Sequence, residues 1–340
     1  MQAKGKNNRS FLTFFFVSIL IYTILFSSVI LQFQSKKILS NRIGFGMSTQ
    51  ADPAYWTHNL NASWYLDWKT TPISSAEKPE YWQMIRLSKA GTNPSIEDII
   101  ALVDNFPGHV WIIGNEPDNI WQDNLDYSQF ARFYHDLYYL IKYYDPTAQI
   151  AIGAISQPTP LRLKYLDLVL AEYLDLYGHK LPIDWWTIHA YVLREEKDSW
   201  GADIPPGFGE KFGELYEIED HNNLNIFQQN IYNFRKWMSI NGYQNKPLAV
   251  TEFGILLPQE LGFKPEIVAS YLSSSFDWLY TTKDSELGYA LDDFQLVQKF
   301  AWFSLGDKIY PVADLVDFDH MKLSLIGESF KQSSYLLTKK

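Results

Sequence analysis

The sequence predicts an α/β fold, a closed (β/α)8 TIM barrel preceded by an N-terminal transmembrane helix. From Arg42 onward, about eight short apolar runs typical of buried strands alternate with longer segments of helical period, which is the pattern of repeated βα units. The chain has 340 residues, 46% of them hydrophobic, enough for one barrel of about 250 residues plus an extension. Before this pattern, residues 11–33 form an uncharged apolar run, longer than the ~20 residues that cross a bilayer.

The individual elements are predicted in chain order from the period of the apolar residues. We expect strands at residues 42–49, 64–68, 82–88, 110–115, 149–156, 184–192, 248–253 and 300–305. We expect helices at residues 95–106, 127–144, 163–177, 223–240, 265–280 and 328–337. Ser95 before Glu97 and Asp98 is a helix start signal, whereas the helices after the first two strands are short or missing. Eight such units favour a closed barrel over an open sheet.

Composition and motifs exclude several classes of function. The net charge of −10 argues against a nucleic-acid partner, because phosphate binding requires a basic face. The absence of cysteine excludes disulfides, thiolate metal sites and a cysteine nucleophile together. The seven histidines are scattered, and no metalloprotease, serine-hydrolase or glycine-rich phosphate motif occurs. We therefore predict no metal, no cofactor and no nucleic acid, and we predict no protein partner.

Two of the predicted strands end at a glutamate. Glu116 follows the apolar run that begins at Val110, and Glu252 follows the run that begins at Leu248. The C-terminal ends of barrel strands form the active-site face, so we expect both carboxyl groups at the barrel mouth. Taken alone, Glu116 would be part of a helix entry and Glu252 a solvated charge at the rim. Together they match the two carboxyl groups that glycoside cleavage requires, one as acid and one as attacking group or base.

Three further polar side chains are candidates for the same mouth. His189 and Tyr191 are two residues apart on one predicted strand, so they face the same side. They could hold a carboxylate or a sugar hydroxyl, with ordinary capping of the strand end as the alternative. Arg86 is a charge within an apolar strand and needs a carboxylate partner, which would be Glu252 or the acid of a structural ion pair elsewhere.

Aromatic residues make up 16% of the chain, and most of these rings are expected in the core. Flat rings with a polar group also suit the apolar faces of sugars. Trp302 is the strongest candidate for stacking on a sugar, because it lies near the end of the last predicted strand. The segment 193–220, the longest interruption of the pattern, is expected to lie over the same cleft. Weaker candidates for lining a substrate groove are Trp64, Trp68, Trp121 and Trp200.

These motifs resemble glycoside hydrolase clan A, whose retaining (β/α)8 enzymes carry Asn-Glu at the end of the fourth strand and Glu at the end of the seventh. Asn115-Glu116 and Glu252 fall on those predicted strands. Residues 64–68, 80–84, 114–118 and 251–254 look similar to family 128, which includes β-1,3-glucanases, although Arg86 departs from its pattern. The resemblance covers most of residues 42–304. It implies Glu116 as acid/base, Glu252 as nucleophile, Asn115 as ligand of the sugar 2-hydroxyl, Tyr191 near the nucleophile and Trp302 beneath the reacting sugar.

The residues and the resemblance together predict a retaining β-glycosidase that hydrolyses an extracellular β-glycan, in particular a glucan with 1,3 linkages. The two carboxyl groups should lie roughly 5–5.5 Å apart, the spacing that permits direct attack. Glu252 should be ionised, helped by Arg86 or Tyr191, and Glu116 should hold a proton through a raised pKa. Two alternatives stay open. One is an envelope-glycan transglycosylase with the same residues, and the other is a catalytically silent carbohydrate-binding barrel, against which the two intact glutamates argue.

The N-terminus predicts the location of the protein. Basic residues flank the apolar run on both sides, and apolar residues directly after Ser27-Ser28 make a poor signal-peptide cleavage site. We therefore predict a cytoplasmic N-terminus at 1–10, a transmembrane signal anchor at 11–33, a linker at 34–41 and a glycoside hydrolase catalytic domain at 42–340. The catalytic domain would lie outside the cytoplasm, because the expected substrate is a polysaccharide or oligosaccharide. A cleaved, secreted protein is the alternative.

Overall fold

The computed structural model describes residues 42–73 and 79–339. The predicted N-terminal tail, signal anchor and linker, residues 1–41, lie outside these ranges. Among the residues described, no helix is both long enough and apolar enough to cross a bilayer. The barrel prediction can therefore be compared with the structure, whereas the anchor stays a prediction.

All eight predicted strands and all six predicted helices are present, with ends that differ from the predicted ones by a few residues. The structure adds a short helix after the first strand and a β-hairpin after the third. The strands are β1 Ile43–Gly46, β2 Trp64–Leu66, β3 Glu80–Ser88, β4 Gly91–Asn93, β5 Val110–Ile113, β6 Gln149–Ile152, β7 Trp186–His189, β8 Leu248–Phe253, β9 Lys299–Trp302, β10 Val316–Asp317 and β11 Lys322–Leu323. The helices are α1 Pro53–Leu60, α2 Ile96–Asn105, α3 Tyr127–Tyr144, α4 Pro160–Tyr177, α5 Leu224–Ile240, α6 Pro265–Thr281 and α7 Leu325–Thr338.

The large sheet is a parallel barrel. Its strands pair in the order β6, β5, β3, β2, β1, β9, β8 and β7, and β4 is an antiparallel addition to β3. The two ends of this series are joined by parallel bridges between Ala151 and Trp185 and between Ile155 and Ile188. The prediction of a (β/α)8 barrel is therefore confirmed, and the C-terminal ends of its strands share one mouth.

Side chains along the barrel strands alternate between the barrel interior and the layer beneath the helices. The interior contains three large rings, with centroids 5.0 Å apart for Trp64 and Trp82 and 5.1 Å apart for Trp82 and Trp185. Alanines such as Ala249 and Ala301 complete this cluster, so the large rings meet small side chains from other strands. The barrel is thus a packed core that supports the mouth.

Gly44 allows β1 to pass close to these rings. Gly44 pairs with Trp64 in the register between β1 and β2. A Cβ atom added at Gly44 would lie 2.5 Å from the indole ring of Trp64, closer than atoms can approach without displacement. The ring is fully buried and has no free space into which it could move.

We expect Gly44→Ala to lower the free energy of unfolding by about 1–3 kcal/mol, the usual cost of overpacking a core. The matched control is Gly209→Ala, an exposed glycine whose added Cβ would have no neighbour within 4 Å. The control should change stability by no more than about 0.5 kcal/mol. Denaturant unfolding of both variants measures the difference. Equal effects at the two positions would contradict this account of the interior packing.

Candidate active site

Glu116, His189 and Glu252 meet at the C-terminal end of the barrel. Each glutamate is only 6% exposed, and His189 is fully buried. One carboxylate oxygen from each glutamate and one ring nitrogen of His189 all lie within 4.8 Å of one another. The ends of β5, β7 and β8 therefore bring together three ionisable groups that are far apart in the sequence.

Glu116 lies on a tight turn after β5. The chain turns at Gly114, with φ of 90°, and Glu116 has φ of 45°, in the left-handed region that non-glycine residues seldom adopt. The Glu116 amide donates to the carbonyl of Ala154 (2.9 Å), and the Glu116 carbonyl accepts from the amide of Asn119 (3.0 Å). These two backbone contacts maintain the left-handed conformation at Glu116.

A β-bulge in β8 turns Glu252 toward the mouth. His189 pairs with Glu252, but the residue before His189 pairs with Val250, so Thr251 is left out of the pairing. Ala249 faces the barrel interior, and regular alternation would therefore place Glu252 on the outer face. The extra residue reverses the alternation and directs the carboxylate inward.

His189 lies between the two carboxylates. Its Nδ1 is 2.6 Å from Oε1 of Glu116, and its Nε2 is 3.1 Å from Oε1 of Glu252. Burial alone would lower the pKa of His189. The charge of Glu252, together with the hydrogen bond and charge of Glu116, outweighs burial and raises this pKa above its usual value. The two carboxylates therefore favour the protonated, cationic form of the imidazole.

The pKa values of the two glutamates are shifted in opposite directions. Burial raises the pKa of Glu252, and the charge of Glu116 adds to this rise. For Glu116, the effect of burial is outweighed by the hydrogen bond and charge of His189 and by a hydrogen bond from Asn119, so its pKa is lowered. The sequence-based prediction of a raised pKa for Glu116 is wrong for the free protein, because two donors hold this carboxylate in its ionised form.

Trp68 and Tyr191 hold the carboxylate of Glu252. The indole Nε1 of Trp68 donates to Oε1 (2.6 Å), and the hydroxyl of Tyr191 donates to Oε2 (3.1 Å). On the other carboxylate, Asn119 Nδ2 donates to Oε2 of Glu116 (2.7 Å). Both oxygens of each glutamate therefore have a polar neighbour, and Tyr191 lies beside Glu252, where the resemblance to clan A places it.

Trp68 reaches the site through an unusual backbone conformation. Its φ is 57°, and its ring lies over Gly46, where an added Cβ would be 2.8 Å from the indole. Asp67 accepts hydrogen bonds from the hydroxyl of Tyr81 and from the backbone amide of Lys69 (3.2 Å). The missing side chain at Gly46 and the anchored Asp67 together position the indole that contacts Glu252.

Arg86 does not pair with Glu252, and the prediction of that pair is wrong. Its Nε donates to Oδ1 of Asp123 (2.8 Å), and its Nη2 donates to Gln122 (3.0 Å). The other oxygen of Asp123 accepts from the backbone amide of Asn115 (2.7 Å). Arg86 therefore supports the turn after β5 through Asp123, since that turn supplies the nearest carboxylate.

Asn115 presents an unused acceptor next to Glu116. Its side chain is buried, and Nδ2 is 3.4 Å from Oε1 of Gln122. Its Oδ1 has no hydrogen-bond partner among the described residues. A buried carbonyl oxygen without a partner is unusual and is available to a donor such as a hydroxyl group.

Trp302 points away from the mouth, so the predicted placement of its ring there is wrong. The side chain is fully buried in the layer outside β9, and its Nε1 donates to the carbonyl of Ala313 (2.8 Å). Alternation directs the next residue, Phe303, toward the mouth instead. The Phe303 ring lies 5.6 Å from that of Trp68 and 6.5 Å from that of Tyr191. An aromatic surface is therefore present, one residue later than predicted.

The long segment 193–220 contributes to the same mouth. Leu193 and Ala202 form an apolar cluster with Tyr191 and Phe303, and Trp200 packs against it. This agrees with the expectation that the segment lies over the cleft. Of the other weaker aromatic candidates, Trp64 belongs to the barrel interior and Trp121 is 70% exposed on the turn after β5.

Arg162, on α4, supports the site and was missed by the sequence-based prediction. Its buried guanidinium forms ion pairs with Asp118, in the turn that carries Glu116, and with Glu195 (2.8 Å), after β7. It also donates to the backbone carbonyls of residues 202 and 203. Arg162 therefore ties the turn to the long segment over the mouth. A buried acid such as Asp118 needs a cationic partner, and this was the signal that the sequence offered. The sequence did not indicate which Lys or Arg is that partner.

His221 connects the loops after β7 and β8. Its Nδ1 donates to the carbonyl of Val192 (2.8 Å), and its Nε2 accepts from the amide of Leu256 (2.8 Å). This pair of contacts requires the neutral imidazole. Burial lowers the pKa of His221 to about 4, which keeps the ring neutral at ordinary pH. The contact holds together the segments that follow Tyr191 and Glu252.

Glu116, His189 and Glu252 are also residue types that bind metals, and their ligand atoms are close together. A metal would need a free lone pair on the imidazole. Nδ1 is instead hydrogen-bonded to Glu116 at 2.6 Å, whereas Nε2 lies 3.1 Å from Oε1 of Glu252 in an ion-pair contact that lacks hydrogen-bond geometry. The contact at Nδ1 therefore favours a proton between His189 and Glu116, and the prediction that no metal is used stays a prediction.

Comparison with known proteins reveals similarity in structure. No protein-family model and no curated protein matches the chain. The subgroup II endo-β-1,3-glucanase of glycoside hydrolase family 128 from Pseudomonas viridiflava has a TM-score of 0.59 at 17% identity, over 85% of this chain and 96% of that one. The subgroup II enzyme from Sorangium cellulosum has a TM-score of 0.58 at 16% identity, over 86% and 98%. A subgroup III curdlan-specific exo-β-1,3-glucanase from Blastomyces gilchristii has a TM-score of 0.56 at 17% identity, over 85% of this chain and 97% of that one.

The similarity to these structures establishes the fold. The chain is a parallel (β/α)8 barrel with the architecture of family 128 glycoside hydrolases, in agreement with the motifs that resemble that family. Its C-terminal face carries a buried pair of carboxylates with a histidine between them. The fold and the buried triad of Glu116, His189 and Glu252 are the two observations from which a function can be proposed.

We expect His221→Gln to flatten the acid-side pH dependence of stability. A histidine of the unfolded chain takes up a proton near pH 6.5, but the folded protein resists protonation down to about pH 4. Stability associated with His221 is therefore present above pH 6.5 and is lost as the pH falls toward 4. Over this window the wild type should lose about 3 kcal/mol more than the variant. Denaturant unfolding at several pH values measures the two slopes.

His58→Gln, at an exposed position of α1, is the matched control for the His221 experiment. It should follow the wild-type slope. Parallel slopes for the wild type and His221→Gln would contradict the neutral, buried state of His221.

Proposed function

We propose that this chain is a retaining β-glycosidase that hydrolyses β-1,3-glucan. The observation that carries the proposal is the pair of buried carboxylates, Glu116 and Glu252, with an oxygen of each within 4.8 Å of the other. Retaining glycosidases use carboxyl groups about 5–5.5 Å apart, whereas inverting enzymes need about 6.5–9.5 Å to admit a water. The closest oxygens of the two carboxylates lie within 4.8 Å, nearer to the retaining spacing than to the inverting one, which supports direct attack of one carboxylate on the sugar.

In this proposal Glu252 attacks the anomeric carbon and Glu116 protonates the leaving oxygen. The hydrogen bonds from Trp68 and Tyr191 hold the Glu252 carboxylate in place. Bond formation to Glu252 and proton transfer from Glu116 release the leaving sugar as an alcohol. In the second step Glu116 takes a proton from water, and the hydroxide so formed displaces Glu252, which restores the starting state with retained configuration.

His189 supplies the proton that Glu116 needs for the first step. In the free site the proton is on the imidazole, because the pKa of His189 is raised and that of Glu116 is lowered. One transfer over the 2.6 Å between Nδ1 and Oε1 makes Glu116 the acid and leaves a neutral imidazole with its N–H toward Glu252. The total charge of Glu116, His189 and Glu252 stays the same. In the free site the pKa of Glu116 is lower than that of Glu252, but after this transfer Glu116 carries the proton that the acid requires.

The substrate class rests on the structural neighbours and on the side chains of the mouth. The neighbours are named as β-1,3-glucanases, and a subgroup I enzyme from Amycolatopsis mediterranei was solved with laminaritriose. The unpaired Oδ1 of Asn115 supports a contact with the sugar 2-hydroxyl. The rings of Trp68 and Phe303 supply the apolar surface that a sugar ring requires.

The purified full-length chain should release reducing sugars from a β-1,3-glucan, and the first product formed should keep the β configuration. Proton magnetic resonance of the anomeric signals in the first minutes measures the configuration before mutarotation. The same assay with β-1,4-glucan, mannan and xylan tests the substrate class. An α-configured first product would contradict the retaining mechanism, and new linkages formed with a sugar acceptor in place of water would indicate a transglycosylase.

Variants of the two glutamates separate their roles. Glu252→Ala should abolish turnover, and added azide should restore product of inverted configuration. Glu116→Ala should lose about 10²–10⁴-fold on glucan, but far less on aryl glycosides whose leaving groups need little protonation. Glu97→Ala, an exposed glutamate at the start of α2, is the matched control and should retain activity. Equal losses for Glu116→Ala on both substrate types would reject Glu116 as the acid.

We also propose that residues 11–33 anchor the protein in a membrane with the barrel outside the cytoplasm. The uncharged apolar run and its poor cleavage site support this proposal. The full-length protein should sediment with membranes and resist extraction at alkaline pH. A soluble mature protein that begins near Val29 would show instead that the segment is a cleaved signal peptide.

A further inference from the structure

Arg162 lies at the centre of a buried network of hydrogen bonds around the turn after β5. Its side chain has no exposed surface, and all five N–H groups of the guanidinium have acceptors. Nη1 donates to the carboxylate and to the carbonyl of Asp118 (2.8 Å to the carbonyl), Nε to Glu195 (2.8 Å), and Nη2 to the carbonyls of Ala202 (2.7 Å) and Asp203 (2.9 Å). The turn after β5 and the segment over the mouth therefore share one buried cation.

The loop after β6 joins the same network. The amide of Ser156 donates to the carboxylate of Asp118 (3.2 Å). Gln157 donates its Nε2 to the carbonyl of Leu193 (2.8 Å) and accepts from the amide of the same residue (2.7 Å). Strand β6 pairs with β5 and is bridged to β7, so these loops follow three adjacent strands of the barrel. Arg162 and its partners thus hold three neighbouring loops of the mouth in one arrangement.

Two short routes connect Arg162 to Glu116. Asp118 lies two residues after Glu116 in the same turn and is bonded to Arg162 through its backbone and its side chain. In the second route, Asp118 accepts from the amide of Ser156, whose hydroxyl accepts from Nδ2 of Asn119 (3.2 Å). The same Nδ2 donates to Oε2 of Glu116 (2.7 Å). The charge of Arg162 also contributes to the lowered pKa of Glu116, so Arg162 influences both the position and the proton affinity of this carboxylate.

The hydrogen bonds to Glu252 come from other elements. Trp68, after β2, donates to Oε1 (2.6 Å), and Tyr191, after β7, donates to Oε2 (3.1 Å). The five donors of Arg162 are all used by other residues, so Arg162 does not hold either of these two side chains. A change at Arg162 should therefore affect Glu116 more than Glu252.

We propose that Arg162 is a positioning residue for Glu116, the acid and base of the reaction. This inference rests on the proposed function. Glu116 first donates a proton to the leaving oxygen and later takes one from water, and each transfer requires the carboxyl group within hydrogen-bond reach of the reacting atom. Attack by Glu252 does not depend on Arg162. Loss of Arg162 therefore weakens acid and base catalysis, whereas attack on a substrate with a good leaving group continues.

The test compares laminarihexaose with 2,4-dinitrophenyl β-laminaribioside, whose leaving group departs without protonation, on the purified full-length protein. For Arg162→Met, kcat/KM on the hexaose should fall about 10–100-fold, the effect that a small displacement of a catalytic group can have. On the aryl substrate kcat/KM reports the first step, which needs no acid, and should stay within about threefold of wild type. Its kcat should fall, because hydrolysis of the glycosyl-enzyme needs Glu116 as the base.

Added azide should restore kcat of Arg162→Met on the aryl substrate. Azide is already an anion, so it attacks the anomeric carbon without transfer of a proton. The bond to Glu252 breaks, and a β-glycosyl azide and the free carboxylate are formed. Tyr191→Phe, which removes a donor to Glu252, should instead lower kcat/KM on both substrates to a similar extent. Equal losses on both substrates for Arg162→Met, or no response of this variant to azide, would overturn the inference.

Controls separate this inference from folding and from the proposed function. Arg162→Lys keeps a positive charge beside Asp118 and Glu195 but cannot reproduce the planar fork of donors. It should show the same difference between substrates with a smaller loss, and it replaces Arg162→Met in the test if that variant does not fold. Arg132→Met, at an exposed arginine on α3 that pairs with Glu172 at 3.5 Å, should behave as wild type. A wild type inactive on every β-glucan would instead reject the proposed function.

Discussion

The position of His189 between two buried carboxylates is the constraint on which the site depends. Two negative charges removed from water within 4.8 Å of each other would repel strongly, and the raised pKa of the imidazole places a positive charge between them. The same contact lowers the pKa of Glu116 and favours the proton on His189. One arrangement of three buried groups thus stabilises the folded site and, in the proposed function, supplies the proton for Glu116.

This arrangement requires two departures from regular strand geometry. Glu116 adopts a left-handed conformation after β5, and a bulge in β8 reverses the direction of Glu252. Neither would persist without support from the surroundings. Asp123 with Arg86 and Asp118 with Arg162 anchor the turn, while the interior of packed tryptophans and alanines keeps the strands in register. The ion pairs and the packed interior therefore hold the turn after β5 and the bulge of β8 in place.

Several features of the barrel and of its site could be predicted from the sequence. Apolar runs of strand length, helical periods and the glutamates at the ends of two runs are local patterns, and they were enough to predict eight strands, the (β/α)8 barrel and the meeting of Glu116 with Glu252. His189 and Tyr191 were found for the same reason, because alternation along a strand is a local rule. The predictions failed for residues whose side-chain direction or hydrogen-bond partner depends on other strands. Trp302 was placed in the mouth, but alternation sends its neighbour Phe303 there.

Long-range choices of partner were decided by tertiary structure. Arg86 needed an acid, as its sequence context indicated, but only the folded turn supplied Asp123 at 2.8 Å and excluded Glu252. The tertiary structure also decides which of the two glutamates has the lower pKa, because this depends on which carboxylate accepts the hydrogen bond from His189. Arg162 could not be assigned at all, since its partners Asp118 and Glu195 come from the ends of two different strands. Apolar runs and residue type place the two glutamates at the ends of strands. The bulge in β8 and the hydrogen bonds among groups distant in sequence decide which side chains face the mouth and which charge each carries, and that information exists only in the folded chain.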